Sequence, residues 1–294
     1  MQKFYLENMY LRITINQQGA ELSRILSKEN GHEYLWNADE RYWKRSAPVL
    51  FPIVGSLKNG KITVDGQDYY MSQHGFARDV EFQMVKQSDG KRIIFRLESD
   101  EDTLVRYPYK FALEIEYRLD GYKLTTIWRV TNKDDKEMHF QIGGHPAFMC
   151  PLDKKYKQTD YFLNFDTDKD LKYSLLNENG LVASEDNILK NDGSMVKIDE
   201  HMFDNDALIF EGQGVNKVSL CTPDGMDYIS VIFDAPLFGL WSPAGKNAPF
   251  VCIEPWFGRA DKADFEGDIS ERDFDQKIAP NETFSAEYTI EIGN

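Results

Sequence analysis

The sequence predicts an all-β fold, a large and mainly antiparallel sandwich with few short helices, on three observations. Apolar residues recur at every second position in run after run, two-residue turn signals separate several of these runs, and no long window keeps a helical period. In chain order, LRITI sets Leu11, Ile13 and Ile15 against Arg12 and Thr14. KITVDGQDYY places Asp65-Gly66 between two strand-like runs, a hairpin signal. FALEIEYRLDGYKLTTIWRV repeats the device at Asp120-Gly121, and KVSLCTPDGMDYISVIF at Pro223-Asp224-Gly225. FSAEYTIEI alternates Phe284, Ala286, Tyr288, Ile290 and Ile292 with polar neighbours, the pattern of a strand with one wet face. Short helices are expected around Ala38–Trp43 and Glu185–Leu189. The polar stretch Asp153–Asp206 should hold long loops and extra short strands, and the acidic stretch Asp261–Asp275 a solvated loop. No repeat period and no Pro- or Ser-rich linker divides the chain, so residues 1–294 read as one domain, at this length a sandwich rather than a closed barrel.

Composition narrows the function. The chain has 294 residues, 41% apolar, with 15 Tyr, 19 Phe and 5 Trp, enough for a substantial core. A formal net charge of −15 argues against unspecific binding to nucleic acid or to anionic membranes, although a local basic pocket can sit inside an acidic protein. Cys150, Cys221 and Cys252 are odd in number, far apart and without metal-ligand spacing, as expected of buried thiols in a reducing cytosol. The N-terminal stretch MQKFYLENMYLRI has no signal-peptide pattern and no apolar run reaches about 18 residues, so a cytoplasmic protein without a membrane span is expected. Monomer and homodimer both stay open.

Three stretches depart from the β background: SQHGFARD (Ser72–Asp79), GGHPAF (Gly143–Phe148) and CIEPWFGRAD (Cys252–Asp261). Each puts an ionisable residue beside Gly or Pro and next to aromatic side chains, as loops that present chemistry on a rigid sheet do. Glu254 ends an apolar run, so burial should raise its pKa and strengthen it as a base; the plainer reading is a structural carboxylate paired with Arg259 or a backbone amide. His145 and His74 are candidates for acid–base or binding work, against a plainer role as hydrogen-bonded scaffold, and Arg78 is a candidate ligand contact or structural ion-pair partner. No GxSxG, GxGxxG, Walker-type loop or HExxH is present, and no pair of His residues is placed to hold a metal.

Together these stretches resemble the aldose 1-epimerase (galactose mutarotase) superfamily, in particular its LacX-type bacterial subgroup, related to the hexose-6-phosphate 1-epimerases. QHGFARD, GGHPAF and CIEPW follow in the order that subgroup uses, and APVLFPIVGSL and FDNDALIF are similar to its motifs. The resemblance covers nearly the whole chain. It implies a twisted β-supersandwich with a sugar in an open cleft, Glu254 as general base, His145 as general acid, and His74, Arg78 and Asp206 as sugar contacts. Trp256, Phe148 and Trp241 are candidates for the flat apolar face a pyranose rests on. The implied reaction interconverts α and β anomers of a hexose or hexose phosphate by ring opening and closure, with no metal or organic cofactor; a non-catalytic carbohydrate-binding protein is the alternative. In that scheme His145 starts protonated. One departure concerns phosphate: where the hexose-6-phosphate enzymes carry Arg-Gly-Gly, this chain reads WKRSAPVLFP, with Lys44 and Arg45 as the available charges.

Overall fold

The computed structural model describes residues 2–88, 91–191, 193 and 195–293. Among them, a nine-stranded antiparallel sheet runs in the order Met195–Lys197, Phe162–Phe165, Lys217–Cys221, Asp227–Phe233, Thr283–Ile292, Lys123–Asn132, Phe111–Asp120, Arg92–Glu98 and Gln83–Ser88. A second sheet runs Val182–Leu189, Leu171–Leu176, Leu208–Glu211, Leu237–Trp241, Phe250–Phe257, Ile142–Gly144 and Val49–Leu50, with Ala147–Met149 also paired to Phe250–Phe257. The two meet across a shared core. Phe238 of the second sheet stacks on Phe210 at 4.6 Å and meets Phe233 of the first at 5.5 Å. Lys3–Glu7, Leu11–Asn16 and Leu22–Ser27 form a three-stranded sheet beside them.

Local chemistry explains the turns. Val64 pairs with Gln67, so Asp65-Gly66 form the expected two-residue turn, with φ of 50° and 77°. Positive φ at both positions gives the turn whose twist matches that of its strands. The next turn falls one residue later than expected: Asp120 pairs with Lys123, leaving Gly121-Tyr122 at the tip. Cys221 pairs with Asp227, and the Thr222 amide donates to the Met226 carbonyl at 2.9 Å, closing the loop over Pro223-Asp224-Gly225.

Three expectations are corrected. Ala38–Trp43 is not a helix but a turn, in which the Tyr42 and Trp43 amides both donate to the Asp39 carbonyl, at 3.0 and 3.1 Å. The Asp39 side chain also takes the Arg41 amide at 3.1 Å, the local bonding by which Asp competes with helix. Glu185–Leu189 lies in the strand Val182–Leu189, where pairing with Leu171–Leu176 overrides local propensity. The helix that does form, Glu101–Leu104, is capped by Asp100, whose carboxylate accepts the Thr103 amide at 2.8 Å. Finally, the solvated-loop expectation for 261–275 is corrected in part: most of the stretch is exposed or half-exposed, but it is anchored as a strap by Asp261, Ile269 and Arg272, which are buried.

The strand Phe250–Phe257 is buried along both faces, which is why FVCIEPWF reads as an unbroken apolar run interrupted by one carboxylate. It pairs with Ile142–Gly144 at 142–257 and 143–256, and again with Ala147–Met149 from 147–252 to 149–250. The pairs belong to one register. Carried across the gap at His145-Pro146, that register sets His145 directly opposite Glu254. Pro146 and Pro255 each lack an N–H to donate, so the ladder is weakest where the two ionisable residues face each other.

Candidate active site

The site begins with that cross-strand pair. His145 Nε2 lies 3.3 Å from Glu254 Oε2, and Glu254 is only 1% exposed. Neither carboxylate oxygen has a hydrogen-bond partner, nor does His145 Nδ1. Arg259, the partner weighed for Glu254, is engaged elsewhere: its Nε sits 2.7 Å from Glu211 and its Nη2 donates to Asp273 at 2.6 Å. A buried ionisable pair left without hydrogen bonds costs stability, so such a pair marks a place where something other than stability is served.

A cavity of about 170 Å³ opens over the pair. His145, Glu254, His74, Arg78, Asp206 and Trp256, each singled out in the sequence, all line it. Trp241 lines it too, whereas Phe148, also considered as a sugar platform, is fully buried and absent from the lining. Trp43 was not anticipated. It lines the cavity and lies against the His145 ring at 4.7 Å, with the Trp241 edge 5.4 Å away on another side. The only signal for it was an aromatic residue just ahead of the APVLFP motif.

Two glycines shape the floor. A Cβ on Gly143 would stand 2.7 Å from Trp256 Cδ1, and one on Gly239 would stand 2.6 Å from Trp256 Cη2. The indole of Trp256 therefore lies across both glycines, and the GGHPAF stretch has no room for a side chain at Gly143. Its Nε1 is a further buried donor without a partner. His74 is fixed by backbone: its N–H donates to the Gly55 carbonyl at 2.9 Å and its Nδ1 accepts the Gly55 N–H at 3.0 Å. With Nδ1 accepting, the ring proton is on Nε2. His74 and Asp206 both have positive φ, 66° and 70°, conformations that His and Asp tolerate better than most residues and that recur at functional sites.

The electrostatics are those of a dry pocket with cations behind it. Burial, reinforced by the Asp206 carboxylate, holds the Glu254 pKa well above the ordinary range. Burial, with the Arg78 cation adding to it, pushes His145 down to about 3. The same two causes hold His74 well below its ordinary value. Burial thus favours the neutral form of both members of the pair, against the expectation that His145 rests protonated. Arg78, desolvated and facing Arg45, falls to about 10.

Beyond Arg78 lies a groove of about 540 Å³, lined by five basic residues, Lys44, Arg45 and Arg78 among them, and two carboxylates. Arg45 and Arg78 do not extend freely into it: Arg45 pairs with Asp79 at 2.6 Å and Arg78 donates to the Gln73 carbonyl at 2.7 Å.

Comparison with known proteins agrees with the fold. The chain is 33% identical to the chromosomal protein LacX of Lactococcus lactis subsp. lactis over 299 residues, covering 98% of this chain and 99% of that one. A galactose mutarotase related enzyme from Lactobacillus acidophilus superposes with a TM-score of 0.94 at 33% identity, over 100% of this chain and 98% of that one. A galactose mutarotase-like protein from Lactobacillus casei ATCC 334 gives 0.92 at 27% identity, over 99% and 100%. The family model for aldose 1-epimerase matches residues 2–291, and the chain belongs to that family.

Proposed function

We propose that this protein is an aldose 1-epimerase in activity as well as in descent, interconverting the anomers of a hexose by acid–base ring opening. The observation that carries the reading is the Glu254–His145 pair, 3.3 Å apart, unpartnered, and facing a cavity lined by tryptophans and polar groups. Binding alone has no use for an acid set against a base.

A cyclic aldose is a hemiacetal at C1. One member of the pair takes the proton of the C1 hydroxyl while the other delivers its proton to the ring oxygen, and the C1–O5 bond breaks. The open-chain aldehyde turns about C1–C2, and the reverse transfers close the other anomer. The chemistry needs one proton on the pair. Glu254-COOH with neutral His145 and Glu254-COO⁻ with His145-H⁺ have the same net charge, and a transfer across 3.3 Å interconverts them. Burial favours the first arrangement at rest; a sugar hydroxyl hydrogen-bonded to the carboxylate favours the second. Glu254 as base and His145 as acid then run the forward step, each contributing about 10²–10⁴-fold. His74 Nε2–H, Arg78 and Asp206 are the hydroxyl contacts, and the indole faces of Trp241 and Trp256 suit the C–H face of the ring.

The basic groove supports a hexose that carries an anionic group, such as a 6-phosphate, with Arg78 shared between ring and anion. Three unbridged buried cysteines are in keeping with a reducing compartment such as the cytoplasm. Among the described residues no helix is long and apolar enough to cross a membrane.

The test is polarimetry, or proton NMR of the anomeric signals, on freshly dissolved α-glucose, α-galactose and their 6-phosphates. The reading expects faster equilibration with the protein, and slow equilibration with Glu254→Gln and His145→Ala while sugar binding survives in at least one of them. If no sugar equilibrates faster with the protein than without it, yet sugar binds, the protein is a carbohydrate-binding member of the family.

A further inference from the structure

Beside the catalytic pair, buried behind the cavity lining, lies a third group that the mutarotase scheme does not use. Cys252 lies two residues before Glu254 on the same strand, so both side chains project from the same face. Among the described residues, one cluster of three His, Cys, Asp or Glu donors comes within 4.8 Å of one another: His145, Cys252 and Glu254, all buried. Its tightest measured edge, 3.3 Å between His145 Nε2 and Glu254 Oε2, is close to the ligand–ligand separation of roughly 3.5 Å that follows from metal–ligand bonds of about 2.0–2.3 Å in a tetrahedral zinc site. A carboxylate 99% buried with both oxygens unpartnered points into this cluster.

We propose that Cys252, Glu254 and His145 form a binding site for a thiophilic divalent cation of the Zn²⁺ type, and that its occupancy shuts the catalytic pair. The donor set of one thiolate, one carboxylate and one imidazole suits Zn²⁺, and the cavity leaves a fourth position open to solvent. Charge decides the valence. On binding, the Cys252 thiol releases its proton and the Glu254–His145 pair releases the one it holds, leaving two negative charges that a divalent ion cancels. A monovalent or trivalent ion would leave net charge in a buried place. With the ion bound, Glu254 has no lone pair free for a sugar hydroxyl and His145 no proton for the ring oxygen. The cation is thus an inhibitor that competes with sugar. The inhibition rests on the mutarotase reading; the binding does not.

Two probes separate them. Co²⁺ added to the full-length protein should give a thiolate-to-cobalt charge-transfer band in the near ultraviolet at one equivalent, whether or not the protein is an enzyme. Zn²⁺ should displace Co²⁺ and slow anomer exchange, with recovery on adding a chelator. Cys252→Ala and Cys252→Ser should abolish the band and weaken Zn²⁺ inhibition by more than about 100-fold, beyond the 10- to 100-fold typical of losing an outer-sphere partner, while turnover without metal is kept by at least one of them. Absence of the band in the unaltered protein, or Zn²⁺ inhibition of equal strength in Cys252→Ala, would overturn the proposal. A band without any anomer exchange would leave the site standing and remove the mutarotase reading.

Discussion

Two clusters of buried charge lie within twenty residues of each other, and they are built in opposite ways. In the strap after the site strand, Arg272 Nε donates to Asp261 at 2.6 Å and Arg272 Nη2 to the Arg259 carbonyl at 3.1 Å. Asp261 also takes the Lys58 amide at 2.8 Å and sends its own amide to Ser56 at 3.0 Å. Arg259 lies between Glu211 and Asp273. In the cavity, Glu254 and His145 face each other at 3.3 Å, and neither carboxylate oxygen nor His145 Nδ1 has a hydrogen-bond partner. Both clusters were buried at a cost; in the strap the cost is offset by a partner for each charge, in the cavity it is left standing. Partnered burial holds the loop that carries Gly55, and through it His74, in place. Unpartnered burial leaves lone pairs and protons for a ligand.

The comparison makes predictions that separate the two clusters. The largest effect belongs to the cavity: Glu254→Gln should lower kcat/KM for anomer exchange by about 10²–10⁴-fold and leave urea unfolding unchanged or slightly more resistant, because an unpartnered carboxyl is removed. The strap should behave in reverse. Asp261→Ala leaves Arg272 buried and uncompensated, which costs about 3–5 kcal/mol of stability in urea unfolding, with a smaller change in turnover per folded molecule. A third expectation concerns pH. Glu254 keeps its proton to higher pH than an ordinary carboxyl, and His145 takes a second proton only near about 3. The profile of kcat/KM should therefore be flat across the middle range, fall on the alkaline side as Glu254 deprotonates and the pair loses its one proton, and show no acid limb until the pH nears about 3. Arg45→Met should raise KM for a 6-phosphate about tenfold, as for loss of a charge-assisted contact worth about 1.5 kcal/mol, and leave the neutral sugar unaffected. A steric effect is expected as well: Gly143→Ala pushes on Trp256 and should cost about 1–3 kcal/mol, with a shift in tryptophan fluorescence.

Much of this was legible in the sequence, for physical reasons that also mark its limits. The hairpin at Asp65-Gly66 could be read because two adjacent residues with positive φ demand such a pair. The site residues stood out because Gly, Pro and aromatic neighbours do not belong in ordinary strands. Their meeting could not be read: it depends on a register between strands more than a hundred residues apart, and on a break at His145-Pro146 that the register spans. Trp43 was missed because NADERYWKR is polar around it and gave a helical reading. The anchor of the strap was missed because acidic composition suggests solvent, while Asp261 and Arg272 find each other only after the chain folds back over eleven residues. The push of burial toward the neutral form of both members of the pair could not be read, because burial is a tertiary property.

One measurement bears most directly on the claim that the unpartnered pair does the chemistry. It is saturation transfer between the α and β anomeric protons of a hexose 6-phosphate at equilibrium, with the unaltered protein, with Glu254→Gln and with Asp261→Asn. The account predicts transfer with the unaltered protein, transfer surviving in whatever Asp261→Asn remains folded, and none above the uncatalysed rate with folded Glu254→Gln. Equal transfer in the unaltered protein and in Glu254→Gln would contradict it.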